Sequence, residues 1–132
     1  MNRRILIVDD EAHILQVLSL KLRNAGHEVT TAVDGEEAFE TATRTLPHLI
    51  ITDFQMPYMT GLELCRALLK KPETASIPVI MLTARGYALD DADFALGNLK
   101  GVHAKPFSPR QILEEVEKIL GVDTTPPTAE AA

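Results

Sequence analysis

The 132-residue sequence has little of several features that would mark whole classes of protein. It contains a single cysteine, Cys65, which excludes an internal disulfide and favours a cytoplasmic protein. It has 13 basic and 19 acidic residues, and the resulting formal net charge of −6 argues against a nucleic-acid-binding surface. No apolar run approaches the ~20 residues of a membrane span, and Ile5–Val8 is too short for a signal-peptide core. We therefore expect neither nucleic acid nor membrane among its partners.

The composition is that of an ordinary globular protein. Hydrophobic residues make up 45% of the chain and charged residues 24%, which is typical of a soluble domain. The length suits one domain. We expect this domain to span residues 1–121, and we interpret residues 122–132, which lack apolar periodicity, as a disordered tail or linker.

Five β-rich runs alternate with helix-like segments along the chain. The predicted strands are RILIV, HEVTTAV, HLIITD, IPVIMLTA and a short run from about Gly101 to Ala104. The predicted helices are a segment ending at Gly26, one from Asp34 to about Thr45, one opened by Thr60, a weaker one from about Tyr87 to Leu96, and one from Ser108 to Gly121. This alternation predicts a parallel sheet with helices on both faces.

The carboxyl ends of such strands are where we expect a functional site. The residues found there include Asp9, Asp10, Asp53, Thr83 and Lys105. Crowded acids repel one another, which raises at least one pKa unless a cation lies between them. Carboxylate oxygens suit Mg²⁺, and a lysine with a threonine suits a phosphoryl group. The pattern therefore predicts a Mg²⁺-assisted phosphoryl site with one aspartate as nucleophile.

Each of these residues has an ordinary interpretation when it is taken alone. Asp9 and Asp10 could be a solvated strand end, Thr83 an ordinary strand threonine, and Lys105 a surface lysine. Only their convergence at one sheet edge favours the site.

Four motifs in order, ILIVDDE, ITDFQMPYMTG, PVIMLTA and KPF, resemble those of the response-regulator receiver domain. The resemblance covers about residues 3–121. It implies a flavodoxin-like α/β fold, a doubly wound (βα)5 parallel sheet of five strands in the order 2-1-3-4-5.

The resemblance also implies a role for each site residue. It implies that Asp53 accepts a phosphoryl group and that Mg²⁺ is bound by the side chains of Asp10 and Asp53 and by the backbone carbonyl of Gln55, with Asp9 holding the ion through water. It implies that Thr83 turns toward the phosphoryl group and that Lys105 pairs with one of its oxygens. It also implies that a cis peptide bond precedes Pro106.

The implied partners are a sensor histidine kinase or phosphotransfer protein as donor, and a downstream protein target or output domain as reader. The domain would phosphorylate and dephosphorylate itself without turning over an external substrate. Two alternatives remain: an unphosphorylated pseudo-receiver scaffold, and a Mg²⁺-dependent aspartyl phosphatase or phosphotransferase.

One position departs from the family pattern. The family usually has Tyr or Phe three residues before the lysine, and this chain has Val102. With no ring to swing inward, we expect Thr83 and the adjacent loop to carry the conformational change.

Overall fold

A computed structural model describes residues 3–84 and 95–121 of the chain. This part contains five strands and four helices. In chain order they are β1 (Arg4–Val8), α1 (Ala12–Asn24), β2 (Glu28–Ala32), α2 (Gly35–Thr45), β3 (Leu49–Asp53), α3 (Gly61–Leu69), β4 (Val79–Thr83), β5 (Leu99–Ala104) and α4 (Pro109–Leu120). Within these ranges, no helix has the length and apolar character needed to cross a bilayer.

All five strands are parallel and form one sheet in the order β2-β1-β3-β4-β5. The predicted strand order is therefore confirmed. The pairing aligns the carboxyl ends of neighbouring strands, since Asp53 lies opposite Leu82 and Thr83 lies opposite Ala104. Polar residues at these ends are thereby brought to one edge of the sheet.

The hydrophobic core divides into two clusters, one on each face of the sheet. Successive side chains of a strand point to opposite faces, so Ile5 and Ile7 pack with α1 and α4, whereas Leu6 and Val8 pack with α2 and α3. This explains why β1, β3 and β4 read as continuous apolar runs. The doubly wound α/β architecture is confirmed.

Several helix ends follow the local signals of the sequence. Thr60 and Glu63 form a reciprocal capping box at the start of α3, and the Ser108 hydroxyl accepts a hydrogen bond from the Gln111 N–H at the start of α4. Gly26 follows α1 with φ +97°, a left-handed conformation that favours glycine. The capping of α3 fixes where the chain leaves the loop that follows Asp53.

The carboxyl-terminal third differs from the prediction at the start of strand β5. Strand β5 begins at Leu99, earlier than predicted, because Leu99 pairs with Val79 and Gly101 with Ile80, which leaves Lys100 as an extra residue in the ladder. A single bulge of this kind has no clear sequence signal. The helix predicted from about Tyr87 to Leu96 lies largely outside the described residues, although Ala95 and Leu96 lie in a turn.

Candidate functional site: an acidic cleft at the carboxyl edge of the sheet

Three aspartates meet where β1 and β3 end. Asp9 follows β1 and is fully buried, Asp53 ends β3 and is 5% exposed, and Asp10 is exposed beyond them. Each offers a carboxylate oxygen, and these oxygens all lie within 4.8 Å of one another. Pairing of β1 with β3 is the cause, because it sets the ends of the two strands side by side.

Lys105 follows β5 and reaches back over the end of β4 to the acids. Its Nζ lies 3.1 Å from Oδ2 of Asp9 and 3.1 Å from Oδ1 of Asp53. Its backbone N–H donates to the carbonyl oxygen of Thr83 at 2.8 Å. The Lys105–Pro106 peptide bond is cis. The ammonium group therefore bridges the ends of the neighbouring strands β1 and β3, although Lys105 follows Asp9 by 96 residues and β4 separates β5 from β3 in the sheet.

Thr83 and Gln55 lie at the same edge but differ in their surroundings. Thr83 is 3% exposed, and its hydroxyl donates to the carbonyl of Ala84 at 3.2 Å. Gln55 lines a cleft of about 430 Å³ together with Asp10, Asp53 and Lys105. Three of the five predicted polar groups, from Asp9, Asp53 and Lys105, are thus joined through the Lys105 ammonium. Asp10 offers an oxygen within 4.8 Å of the other two carboxylates, and the Thr83 hydroxyl is bonded to the carbonyl of Ala84.

Burial governs the ionisation of the site. Removal from water raises the pKa of Asp53 to about 6, with smaller increases from the charges of Asp9 and Asp10 and a decrease from Lys105. Burial also raises the pKa of Asp9, against hydrogen bonds from Glu11 and Lys105. Burial lowers the pKa of Lys105, but its interactions with Asp53 and Asp9 outweigh this and raise it overall. The sequence predicted that crowding would raise the pKa of at least one of these acids. The pKa values of Asp9 and Asp53 are raised, but burial is the larger cause and repulsion between the acids is secondary.

Glu11 belongs to the site, although the sequence analysis did not single it out. Its backbone N–H donates to Oδ1 of Asp9 at 2.9 Å, and its Oε2 lies 4.0 Å from Nζ of Lys105. The acidic run Asp9-Asp10-Glu11 was the available signal. Glu11 starts α1 without using its side chain as a cap, so its carboxylate is free to face the lysine.

Fold and site together define a flavodoxin-like α/β domain with an acidic, lysine-paired cleft at the carboxyl edge of its sheet. The chain belongs to the response regulator receiver domain family, whose family model matches residues 5–117. It is thus a receiver domain of the kind found in two-component response regulators. Receiver domains are signalling domains rather than classical turnover enzymes.

Curated relatives include longer transcriptional regulators. The chain is 39% identical over 123 residues to the alkaline phosphatase synthesis transcriptional regulatory protein PhoP of Bacillus subtilis, covering 91% of this chain and 49% of that protein. It is 37% identical to the phosphate regulon transcriptional regulatory protein PhoB of Rhizobium meliloti, covering 91% of this chain and 53% of that protein. The chain thus spans about half the length of the curated relatives it matches.

Solved structures of similar chains share the fold along their whole length. The chemotaxis response regulator CheY4 of Vibrio cholerae is 33% identical with a TM-score of 0.82, covering 90% of this chain and 99% of that one. The receiver domain of a sensor histidine kinase from Pseudomonas aeruginosa PAO1 is 26% identical with a TM-score of 0.81, covering 92% and 99%, and was crystallised with magnesium in its active-site cleft.

The residues of this chain fit a magnesium ion. Receiver domains generally bind Mg²⁺ at an acidic pocket, and three carboxylates with oxygens within 4.8 Å of one another supply the hard ligands that Mg²⁺ prefers. The two buried carboxylates, on Asp9 and Asp53, carry raised pKa values, which a cation would offset.

Proposed function

We propose that Asp53 is the phosphoacceptor of a two-component signalling pathway, and that it takes its phosphoryl group from the phosphohistidine of a sensor histidine kinase or phosphotransfer protein. One observation carries the proposal. Asp53 ends a buried strand, is 5% exposed, and lies beside two other aspartates and 3.1 Å from the Lys105 ammonium. A rigid strand aims this carboxylate into a cleft of about 430 Å³.

The metal ligands in this proposal are the side chains of Asp10 and Asp53 and the backbone carbonyl of Gln55, with Asp9 acting through water. The mutual approach of the three carboxylates supports the first two, and the position of Gln55 in the cleft wall supports the third. When bound, Mg²⁺ supplies neutralisation of the charge that develops on the transferring phosphoryl oxygens.

Asp53 and Lys105 would have different roles in phosphoryl transfer. With a pKa of about 6, Asp53 is mostly ionised at neutral pH, so its carboxylate oxygen can attack the phosphorus atom of the donor. The phosphorus–nitrogen bond of the phosphohistidine breaks, and the imidazole leaves with the electron pair. The Lys105 ammonium already lies 3.1 Å from Asp53. It would move its hydrogen bond from the carboxylate to a phosphoryl oxygen, where the negative charge is greater.

The consequence would be a change in what the domain binds. The domain is proposed to span residues 1–121 and to act in the cytoplasm, with a downstream protein target or an output domain as the reader. Phosphorylation adds negative charge and hydrogen-bond acceptor oxygens at Asp53. It shifts the equilibrium between two conformations of the domain only as far as these new groups interact more favourably with one conformation than with the other.

Intact-mass measurement after incubation with acetyl phosphate tests this function. We expect a single phosphoryl adduct on the wild type that requires Mg²⁺ and is lost on mild hydrolysis. The adduct should be absent from Asp53→Asn, because the amide is not a nucleophile. A Mg²⁺-dependent adduct that persists in Asp53→Asn would contradict the assignment. Turnover of small phosphate esters would instead favour the aspartyl phosphatase.

Thr83 is expected to carry the conformational response to phosphorylation. Its hydroxyl now donates to the Ala84 carbonyl, and a phosphoryl oxygen is a stronger acceptor because it is charged. Val102 is partly buried against the cluster that contains Met81 and Leu99, and as an aliphatic side chain it has no ring to rotate.

Beryllofluoride with Mg²⁺ should therefore shift the amide resonance of Ala84 in the wild type. Thr83→Ala should lose at least half of that shift, while Val102→Ala, the matched control in the adjacent strand, should keep it. The reverse pattern would show that β5 carries the change instead.

A further inference from the structure

Two residues other than glycine have positive φ angles in residues 3–84 and 95–121: Leu46 at 48° and Tyr58 at 70°. Positive φ is uncommon for residues with a side chain, and for bulky side chains it is a true outlier. An outlier of this kind persists only where the surrounding structure or a function maintains it. The two cases differ in what maintains them.

The conformation of Leu46 has a structural explanation. Leu46 is the left-handed C-cap of α2, and its N–H donates to the carbonyl of Ala42. The Arg4 guanidinium donates to the Leu46 carbonyl at 2.8 Å. More than half of the Leu46 surface is covered, since the residue is 40% exposed. Helix termination and packing together account for this residue.

Tyr58 has no such explanation. It lies between Pro57 and Met59 in the loop from β3 to α3, and the Met59 N–H donates to the Pro57 carbonyl at 2.8 Å. This bond closes a three-residue turn around a residue with positive φ, which is the rare and strained form. The residue is 95% exposed, so its ring gains almost nothing from packing on the chain. A glycine would adopt this turn without strain.

The turn stands on the wall of the acidic cleft. Gln55, Met56 and Pro57 line that cleft together with Asp53. Met56 is 8% exposed, and the side chain of Met59 packs so closely on α2 that a Cβ added at Gly35 would lie 2.7 Å from it. The loop is therefore anchored on both sides of Tyr58, and the ring projects from a fixed base.

We propose that Tyr58 is a specificity-determining docking contact for the protein that brings the phosphoryl group to Asp53. The inference rests on the proposed function. Pro57 forms part of the cleft wall, so a protein surface that brings a phosphohistidine to Asp53 would lie close to the exposed residue beside Pro57, which is Tyr58. Tyrosine supplies a large, rigid contact with few rotatable bonds, and aromatic residues dominate the centres of protein interfaces. The donor surface would offer an apolar pocket for the ring.

The test compares a protein donor with a small one. Acetyl phosphate does not extend beyond the cleft, so Tyr58→Gly should react with it within twofold of the wild type. The protein donors are the purified, autophosphorylated cytoplasmic cores of the histidine kinases encoded in the same genome, presented one at a time. From the core that labels wild type fastest, transfer to Tyr58→Gly should fall at least tenfold in kcat/KM, mainly through KM.

Two further variants control for strain and for the hydroxyl. Leu46→Gly relieves a positive φ at the opposite edge of the sheet, and it should leave both reactions unchanged. Tyr58→Phe keeps the ring and should retain most of the transfer. Thermal unfolding should show that Tyr58→Gly is folded, with a Tm equal to or above that of the wild type.

The outcomes separate this inference from the proposed function. Wild-type transfer from the kinase core to Tyr58→Gly would overturn the docking role. So would an equal loss with acetyl phosphate, because Tyr58 would then act within the site. If acetyl phosphate labels Asp53 but no kinase core does, the docking role fails and the phosphoacceptor stands. If neither donor labels Asp53, the proposed function itself fails.

Discussion

Asp53→Asn is expected to stabilise the metal-free domain at neutral pH while it abolishes phosphorylation. Asp53 is 5% exposed, and burial raises its pKa to about 6. Ionisation therefore opposes folding, and a neutral amide of the same shape removes that penalty. A pKa of about 6, against about 4 for an ordinary aspartate, corresponds to about 2 to 3 kcal/mol in the free energy of unfolding.

The stability difference should depend on pH in a defined direction. Because the pKa of Asp53 is higher in the folded state than in the unfolded state, the folded state is favoured when the carboxyl group is protonated. This contribution to the free energy of unfolding is complete below about pH 4 and is lost as pH rises through about 6. Wild type and Asp53→Asn should thus be almost equally stable near pH 4. Above about pH 7 the variant should be more stable by the full amount. Urea unfolding in EDTA across this range measures the difference.

Asp10→Asn is the matched control for this prediction. It removes an exposed carboxylate from the same cluster, so it should change the stability far less. Mg²⁺ should raise the Tm of the wild type and have little effect on that of Asp53→Asn, since a ligand stabilises the state that binds it. A constant difference between wild type and Asp53→Asn from pH 4 to pH 8 would contradict the role given to burial.

Gly61→Ala should both destabilise the domain and impair the site. Gly61 is the first residue of α3, and its N–H donates to the Phe54 carbonyl at 2.8 Å. A Cβ at this position would lie 2.7 Å from the backbone oxygen of Asp53 and 3.2 Å from Cα of Phe54. Backbone atoms of a central strand cannot rotate away. The overlap should cost about 1 to 3 kcal/mol, and it should push the end of β3 away from the position that aims Asp53.

Chemical unfolding and the rate of labelling by acetyl phosphate test the two effects of Gly61→Ala. We expect at least a tenfold slower labelling, because small misplacements of reacting groups have large kinetic effects. Gly101→Ala is the control, since its Cβ would meet the carboxylate of Glu115, the end of a flexible side chain that can move. Equal stability losses in the two variants would show that the contact with β3 is not the cause.

Much of the fold could be predicted from local patterns. The apolar run before Asp9 is that of a strand covered on both faces, and the capping residues Thr60 and Ser108 mark helix starts that the structure confirms. These predictions succeeded because backbone hydrogen bonding near a helix end and side-chain direction along a strand depend on neighbours in sequence. The early start of β5 could not be predicted, because its bulge depends on pairing with β4.

For the candidate site too, the sequence predicted the local features, and the rest depended on how the strands pair. Sequence motifs identified the five polar residues, but the order of the strands came from resemblance to a family, since alternation alone does not set which strands pair. The contact of Lys105 with Asp9, across 96 residues of sequence, exists only because β1, β3, β4 and β5 lie in that order.

By itself, the sequence determined the alternation of strands and helices, most of the helix ends and the kinds of chemical group at the strand ends. The tertiary structure alone decided the separation of the three carboxylates, the approach of Glu11 to Lys105 and the exposure of Tyr58. It also decided that burial is the main cause of the raised pKa of Asp53. The physical reason is that hydrogen bonding and periodicity act over a few residues, whereas burial and electrostatics depend on groups that only the packed sheet brings together.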